Sequence, residues 1–245
     1  MGVPFGQRLR IAPMADLAHS LKPKNHHFQL PLAVTAATVA FQVAAPSSGP
    51  FRTIGTLMVV ASLVVTLHAA EHTGSRRRII GALVALAGLM AVFGSLFNDA
   101  TAVRGIGELT FAVPVLFSAV TVIRWIARQP IVTGQAVLGG VLVYLLVGLM
   151  FAQVYGGIGD LVSSAFFCDQ GDGSQSERVY FSFITITTTG YGDYVPCTQL
   201  GRALAMSEAM FGQVYLVTII ALLVGNIGRQ RIGAGKADAD DPDSA

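Results

Sequence analysis

The sequence predicts an all-helical transmembrane protein with six spans, and a short re-entrant helix with an extended return between the fifth and sixth. Three observations lead there. Of 245 residues, 53% are hydrophobic and only 12% charged, with a mean hydropathy of +0.61; a soluble domain carries about 25% charged residues. Charge-free runs long enough to cross a bilayer recur along the chain. Between the last two lies 185-TITTTGYGDYVP-196, a stretch that suits neither helix nor strand.

A crossing helix needs about 20 mainly apolar residues. Thr53 to Ala70, Ile79 to Asn98, Gln129 to Gly159 and Ala209 to Gly228 meet that requirement. Leu109 to Ile123 is shorter, but Arg124 and Arg128 can snorkel past Trp125 to the interface. Leu30 to Ala45, bounded by Pro31 and Pro46, completes the set. Residues 1–29 hold Arg8, Arg10, Lys22 and Lys24 without the apolar core of a secretory signal. The expected organisation is a cytoplasmic segment (1–29), a four-helix membrane domain (30–128), a second membrane domain (129–228) and an acidic cytoplasmic tail (229–245).

Lys and Arg set the orientation. With the N-terminus in the cytoplasm and six crossings, the inner side holds Arg8, Arg10, Lys22, Lys24, Arg76, Arg77, Arg78, Arg124, Arg128, Arg229, Arg231 and Lys236. The outer side receives only Arg52, Arg104, Arg178 and Arg202. Both termini are then cytoplasmic, and the TTTGYGD stretch lies on the outer side of a multi-pass cell-membrane protein. The basic clusters flank apolar runs and lack aromatic interleaving, so the bilayer, and no nucleic acid, is their expected partner.

Before that stretch, Asp169 to Glu177 is polar, and Ser174 with Glu177 has capping-box spacing. Val179 to Thr187 is too short to cross, which fits a re-entrant helix. Its C-terminal carbonyls would point into the membrane with roughly half a negative charge, favouring a cation. The chain must return in extended form, and bare backbone in lipid costs several kcal/mol per unsatisfied group. Such a segment is tolerable only when buried in protein or lining a pore. Carbonyls along an ordinary strand alternate in direction. Aligning them requires alternating handedness, which Gly190 and Gly192 adopt cheaply.

The residues 187-TTTGYGD-193 closely resemble the selectivity filter of the potassium-channel pore family, usually T-V-G-Y-G-D, a filter that also serves as a general illustration of carbonyl coordination. The likeness covers outer helix, re-entrant (pore) helix, filter and inner helix, residues 133–228. It implies a homotetramer with a tetrameric pore, each chain giving one strand to a Thr188–Gly192 filter. It implies that the backbone carbonyls of Thr188, Thr189, Gly190 and Tyr191 coordinate K⁺, that the Thr188 hydroxyl adds an innermost ring, and that Asp193 braces the filter from behind. The bland alternative, a surface turn, does not explain the short helix before the motif or the spans on both sides.

Three departures from the family pattern stand out. Thr189 replaces the usual valine, Ile184 sits where some members carry a glutamate partner of the filter aspartate, and Tyr180–Phe181 replaces a tryptophan pair. Asp193 therefore needs another partner, for which the Tyr180 hydroxyl is the candidate. In the sixth span Gly212 falls at a family hinge position, with close helix packing as the competing explanation. The resemblance places Gln213, Leu216 and Ile220 on the stripe lining the cavity below the filter. Glu208, an acid within a span, lies roughly 140° from Gln213. It is expected to hydrogen-bond to supporting protein rather than to ions.

A voltage sensor needs several arginines at every third position. The fourth span has only Arg124 and Arg128, and Arg76 to Arg78 are consecutive. Strong voltage gating is disfavoured. The tail after Gly228, ending KADADDPDSA, reads as disordered, so control by pH, lipid, a separate regulatory subunit or the filter itself stays open. Cys168 and Cys197, both on the outer side, are either a disulfide bracing the mouth or two free thiols. His68, Glu71 and His72 match H-x-x-E-H, a zinc-peptidase spacing, but sit at a span end without a third ligand. No enzyme activity and no cofactor beyond the permeant K⁺ are expected. The resulting expectation is passive potassium-selective conduction, with a weakly selective monovalent cation channel of the same architecture as the alternative.

Overall fold

The computed structural model describes residues 28–46, 49–70, 101–129, 133–162 and 164–221, with isolated positions at 81, 85, 88, 89 and 225. The described residues form α1 (Gln29–Ala44), α2 (Gly49–Ala69), α3 (Thr101–Ala127), α4 (Gly134–Leu161), α5 (Gln175–Ile186) and α6 (Gln199–Tyr215), the last continuing as a π-helical turn over Leu216–Ile220. Three helices, Pro50–Ala69, Thr101–Ala127 and Gly134–Leu161, are long and apolar enough to cross a membrane, and Gln29–Ala44 is a shorter apolar helix. The architecture is that of an α-helical, multi-pass membrane protein. Most of the expected span Ile79 to Asn98, and the end of the sixth span beyond Ala221, lie outside the described residues.

Several boundaries differ from the sequence expectation, for one physical reason. Reading spans as charge-free runs stops them at the first charge. Yet α3 begins at Thr101 and carries Arg104 and Glu108 within the helix. Arg104 donates through Nε to Asp160 at 2.7 Å, and Glu108 accepts from Arg178 at 2.9 Å. Paired charges tolerate burial that lone ones do not. Likewise α4 extends to Leu161 and includes Asp160. The inner helix starts at Gln199, where the Thr198 hydroxyl caps the Gly201 amide at 3.0 Å.

Helices α3 and α4 pack along small residues. A side chain on Gly105 would sit 3.0 Å from the Gly157 carbonyl, and one on Gly157 would sit 3.0 Å from the Gly105 carbonyl. The two backbones approach as small-residue membrane interfaces do. Leu63, Phe111, Val115, Leu142, Leu146, Ile186 and Tyr215 form one buried core joining the peripheral helices to α4 and α5. A second cluster of Tyr155, Phe166, Phe167 and Phe181 lies beneath the loop before α5, with mostly edge-on rings.

Candidate functional site

Helix α5 starts where Ser174 and Glu177 predict. The Ser174 hydroxyl accepts from the Glu177 amide at 3.3 Å, and the Glu177 carboxylate reaches back to the Ser174 amide. The helix ends at Ile186, and the backbone then does something ordinary strands do not. The Thr188 amide donates to the Thr185 carbonyl at 2.9 Å, while the Thr189 and Gly190 amides both donate to the Ile184 carbonyl, at 2.8 and 3.0 Å. In a trans peptide the C=O lies opposite the N–H. Three successive amides aimed back at the pore helix therefore aim the carbonyls of Thr187, Thr188 and Thr189 away from it, on one side.

The dihedrals supply the means. Positive φ occurs at Thr188 (57°), Gly190 (51°) and Gly192 (80°), at every second residue. Gly190 and Gly192 are free to take that conformation. Thr188 is β-branched and strained there, a cost of order 1–3 kcal/mol. Sequence reasoning named Thr188 but not its left-handed backbone, although counting back in twos from Gly192 through Gly190 reaches it.

Residues Thr187 to Gly192 are exposed in the isolated protomer, with Tyr191 at 73%. Behind the outer end, interaction with Asp193 holds the Tyr180 phenol above its ordinary pKa. Tyr194 donates to Glu177 at 2.9 Å, and this bond likewise pushes the Tyr194 phenol up. Glu177 is held below the ordinary carboxylate range, first by the Ser174 amide and then by Tyr194 and the Ser174 hydroxyl. Ile184, whose side chain has no polar group, is buried.

Cys168 and Cys197 are joined in a disulfide, with Cα atoms 4.8 Å apart. Flanking backbone bonds from Cys168 to Val195 at 3.1 Å and from Cys197 to Phe166 at 2.9 Å tie the loop before the pore helix to the segment after the filter.

Glu208 is fully buried. Tyr155 on α4 donates to one carboxyl oxygen, and the Ser182 hydroxyl on α5 lies 2.5 Å from the other. Ser182 Oγ also lies 2.7 Å from the Gly148 carbonyl. A serine has one proton. Satisfying both contacts requires the carboxyl to bring its own, so a neutral Glu208 best fits the geometry. Gly212 is buried, and a side chain there would run into the Ile186 carbonyl. Its position is one of close helix approach, and the irregular turn begins four residues later, at Leu216. Gln213 and Leu216 are exposed on the protomer; the side chain of Ile220 is outside the described residues.

Among the described residues no cluster of metal-ligand type occurs. His68 Nδ1 lies 2.8 Å from the Val64 carbonyl, and Glu71 and His72 lie outside the described residues.

The ion-channel family pattern matches residues 137–228. The chain is 30% identical over 90 residues to the inward rectifier potassium channel Kirbac3.1 of Paramagnetospirillum magnetotacticum, covering 37% of this chain and 29% of that protein. It is 52% identical over 46 residues to probable potassium channel protein 2 of Methanocaldococcus jannaschii, covering 18% and 13%. It is 29% identical over 91 residues to the potassium voltage-gated channel protein shk-1 of Caenorhabditis elegans, covering 33% and 17%. The matches thus span less than a third of each relative's length. No solved structure matches the chain. Through this segment, which holds the aligned carbonyls, their supporting helix and the helix behind them, the chain is similar to the ion-channel family and to these potassium channels.

Proposed function

We propose that this chain is the subunit of a homotetrameric, potassium-selective channel that conducts K⁺ passively across the cell membrane. The observation that carries the proposal is the pair of amides, Thr189 and Gly190, held on the single Ile184 carbonyl. With positive φ at Thr188, Gly190 and Gly192, it supports a column of carbonyl oxygens from Thr188 to Tyr191. Four such columns would substitute for the water shell of K⁺. The exposure of Thr187 to Gly192 in one protomer supports closure by three further copies, because irregular backbone at membrane depth must be covered by protein or line a cavity.

Residues 129–228 conduct, residues 30–128 surround and support them, and both termini lie in the cytoplasm. Arg52, Arg104 and Arg178 are each paired with Glu108 or Asp160, which supports placing these ends outside, where unpaired basic residues are sparse. Asp193, Tyr180 and Glu208 hold the filter, and Gly212, Gln213, Leu216 and Ile220 belong to the helix lining the cavity. With only Arg124 and Arg128 as basic residues late in the fourth expected span, gating is not strongly voltage-driven.

Reconstitution into liposomes or planar bilayers tests this reading. Opposed K⁺ and Na⁺ gradients should give a reversal potential near that of K⁺. A reversal potential near zero would leave a weakly selective cation channel, and a monomeric particle would remove the pore altogether.

A further inference from the structure

The pore helix is polar at its outer end and bonded on two sides. Gln175, Arg178 and Ser182 share one stripe, at spacings of three and four; Glu177 and Tyr180 share another. On the first stripe, Gln175 donates to Gln42 of α1 at 3.3 Å and to Gln153 of α4 at 3.1 Å. Arg178, which is buried, donates to Glu108 of α3 at 2.9 Å, and Arg52 of α2 stands 3.7 Å from the same carboxylate oxygen. Ser176 adds a bond to the Val43 carbonyl of α1 at 2.8 Å. On the second stripe, Glu177 accepts from Tyr194, just beyond the filter.

The two ends of this helix are held differently. Its inner end is fixed by apolar packing, with Ile186 fully buried, its carbonyl accepting from Tyr144 at 2.8 Å, and Gly212 pressed against it. Its outer end borders a cavity of about 190 Å³ lined by Arg52, Glu108, Gln153, Gln175 and Arg178. Close-packed cores resist small displacements, whereas a polar junction beside open volume can exchange partners. A 12-residue helix is a rod about 18 Å long. Pivoting it at the inner end moves the outer end most.

We propose that the Glu108–Arg178 pair is a positioning device, through which the peripheral helices set the outer mouth of the filter by way of Glu177 and Tyr194. The peripheral domain is then a regulator of the filter as well as a support. This rests on the channel reading given above. Glu108 and Tyr194 bond to adjacent residues of one helix, Arg178 and Glu177, about 100° apart around its axis, so the helix links them directly.

A double-mutant cycle on the full-length protein in planar bilayers tests the proposal. Glu108→Gln and Tyr194→Phe should each change the open fraction and mean open time in K⁺. Because they break the same linkage in series, the double variant should match a single one, a departure from multiplicative behaviour of about fivefold or more. Multiplicative effects, or unchanged dwell times in Glu108→Gln beside a lowered melting temperature, would overturn it and leave a purely structural pair. Should Glu108→Gln fail to assemble, Gln175→Ala takes its place in the cycle, with the same outcomes deciding. Wild-type protein that conducts without K⁺ selectivity would refute the filter reading separately, since the cycle is scored on dwell times.

Discussion

The Ser182 hydroxyl and the Glu208 carboxyl lie 2.5 Å apart, joining the pore helix to the inner helix inside a fully buried site. Tyr155 completes the site from the outer helix. Three helices thus meet at one acid, and proton counting at Ser182 favours its neutral form. Glu208→Gln should therefore be tolerated within about 1 kcal/mol, because an amide can accept from Tyr155 and donate to Ser182. Glu208→Ala should cost about 2–4 kcal/mol, leaving two buried hydroxyls short of a partner beside a cavity. Thermal unfolding of the detergent-solubilised particle distinguishes them, and equal losses in both variants would contradict the neutral carboxyl.

Gly190→Ala should abolish K⁺ flux without disturbing the fold of the protomer. Among the described residues nothing lies within 4 Å of a side chain placed there, so the penalty is conformational, about 1–2 kcal/mol per chain for a left-handed backbone. Flux assays in liposomes, with helix content checked by circular dichroism, read both halves of this expectation.

Gly212→Ala should destabilise by about 1–3 kcal/mol, since a methyl group would collide with the Ile186 carbonyl at the end of the pore helix. The expected companion is reduced conductance, because the same end of the helix carries the amide-bonded filter strand. An unchanged melting temperature would mean that the inner helix has room to move aside.

Glu177 gives a pH dependence with a definite sign. Its folded-state pKa is lowered from the ordinary 4.5, chiefly by the Ser174 amide. Stability from this group is present above the unfolded value and lost as pH falls through the folded one. Wild type should be more stable than Glu177→Gln at neutral pH, and the gap should close on acidification below about pH 4. Melting curves of both proteins across pH 3–7 check it.

Reduction of Cys168–Cys197 should loosen the outer mouth, by about 3–4 kcal/mol on loop-entropy grounds. Alkylation followed by intact-mass measurement should label both thiols only after reductant, with a matching drop in melting temperature.

Much of the architecture was legible because membrane helices leave local marks. Apolar runs reveal crossings, Ser174 and Glu177 announce a helix start, and two glycines spaced by two announce aligned carbonyls. The runs failed at Arg104, Glu108 and Asp160, where the chain carries charge inside a helix. Their partners are 56 and 70 residues away in sequence, so no local pattern reveals that the charges are satisfied. The positive φ of Thr188 was obscured for a related reason, since a β-branched residue ordinarily avoids it and yields here where its amide is held by the Thr185 carbonyl.

The sequence alone determined that this chain lives in a bilayer and carries a glycine-spaced ribbon between two spans, because hydropathy and backbone freedom are properties of residues and their neighbours. Which charges pair, which acid is shared by three helices, and how the pore helix is strapped to the peripheral ones were decided only by the tertiary structure. Those bonds join residues far apart in the chain, and burial makes each partner's presence the condition for the other's.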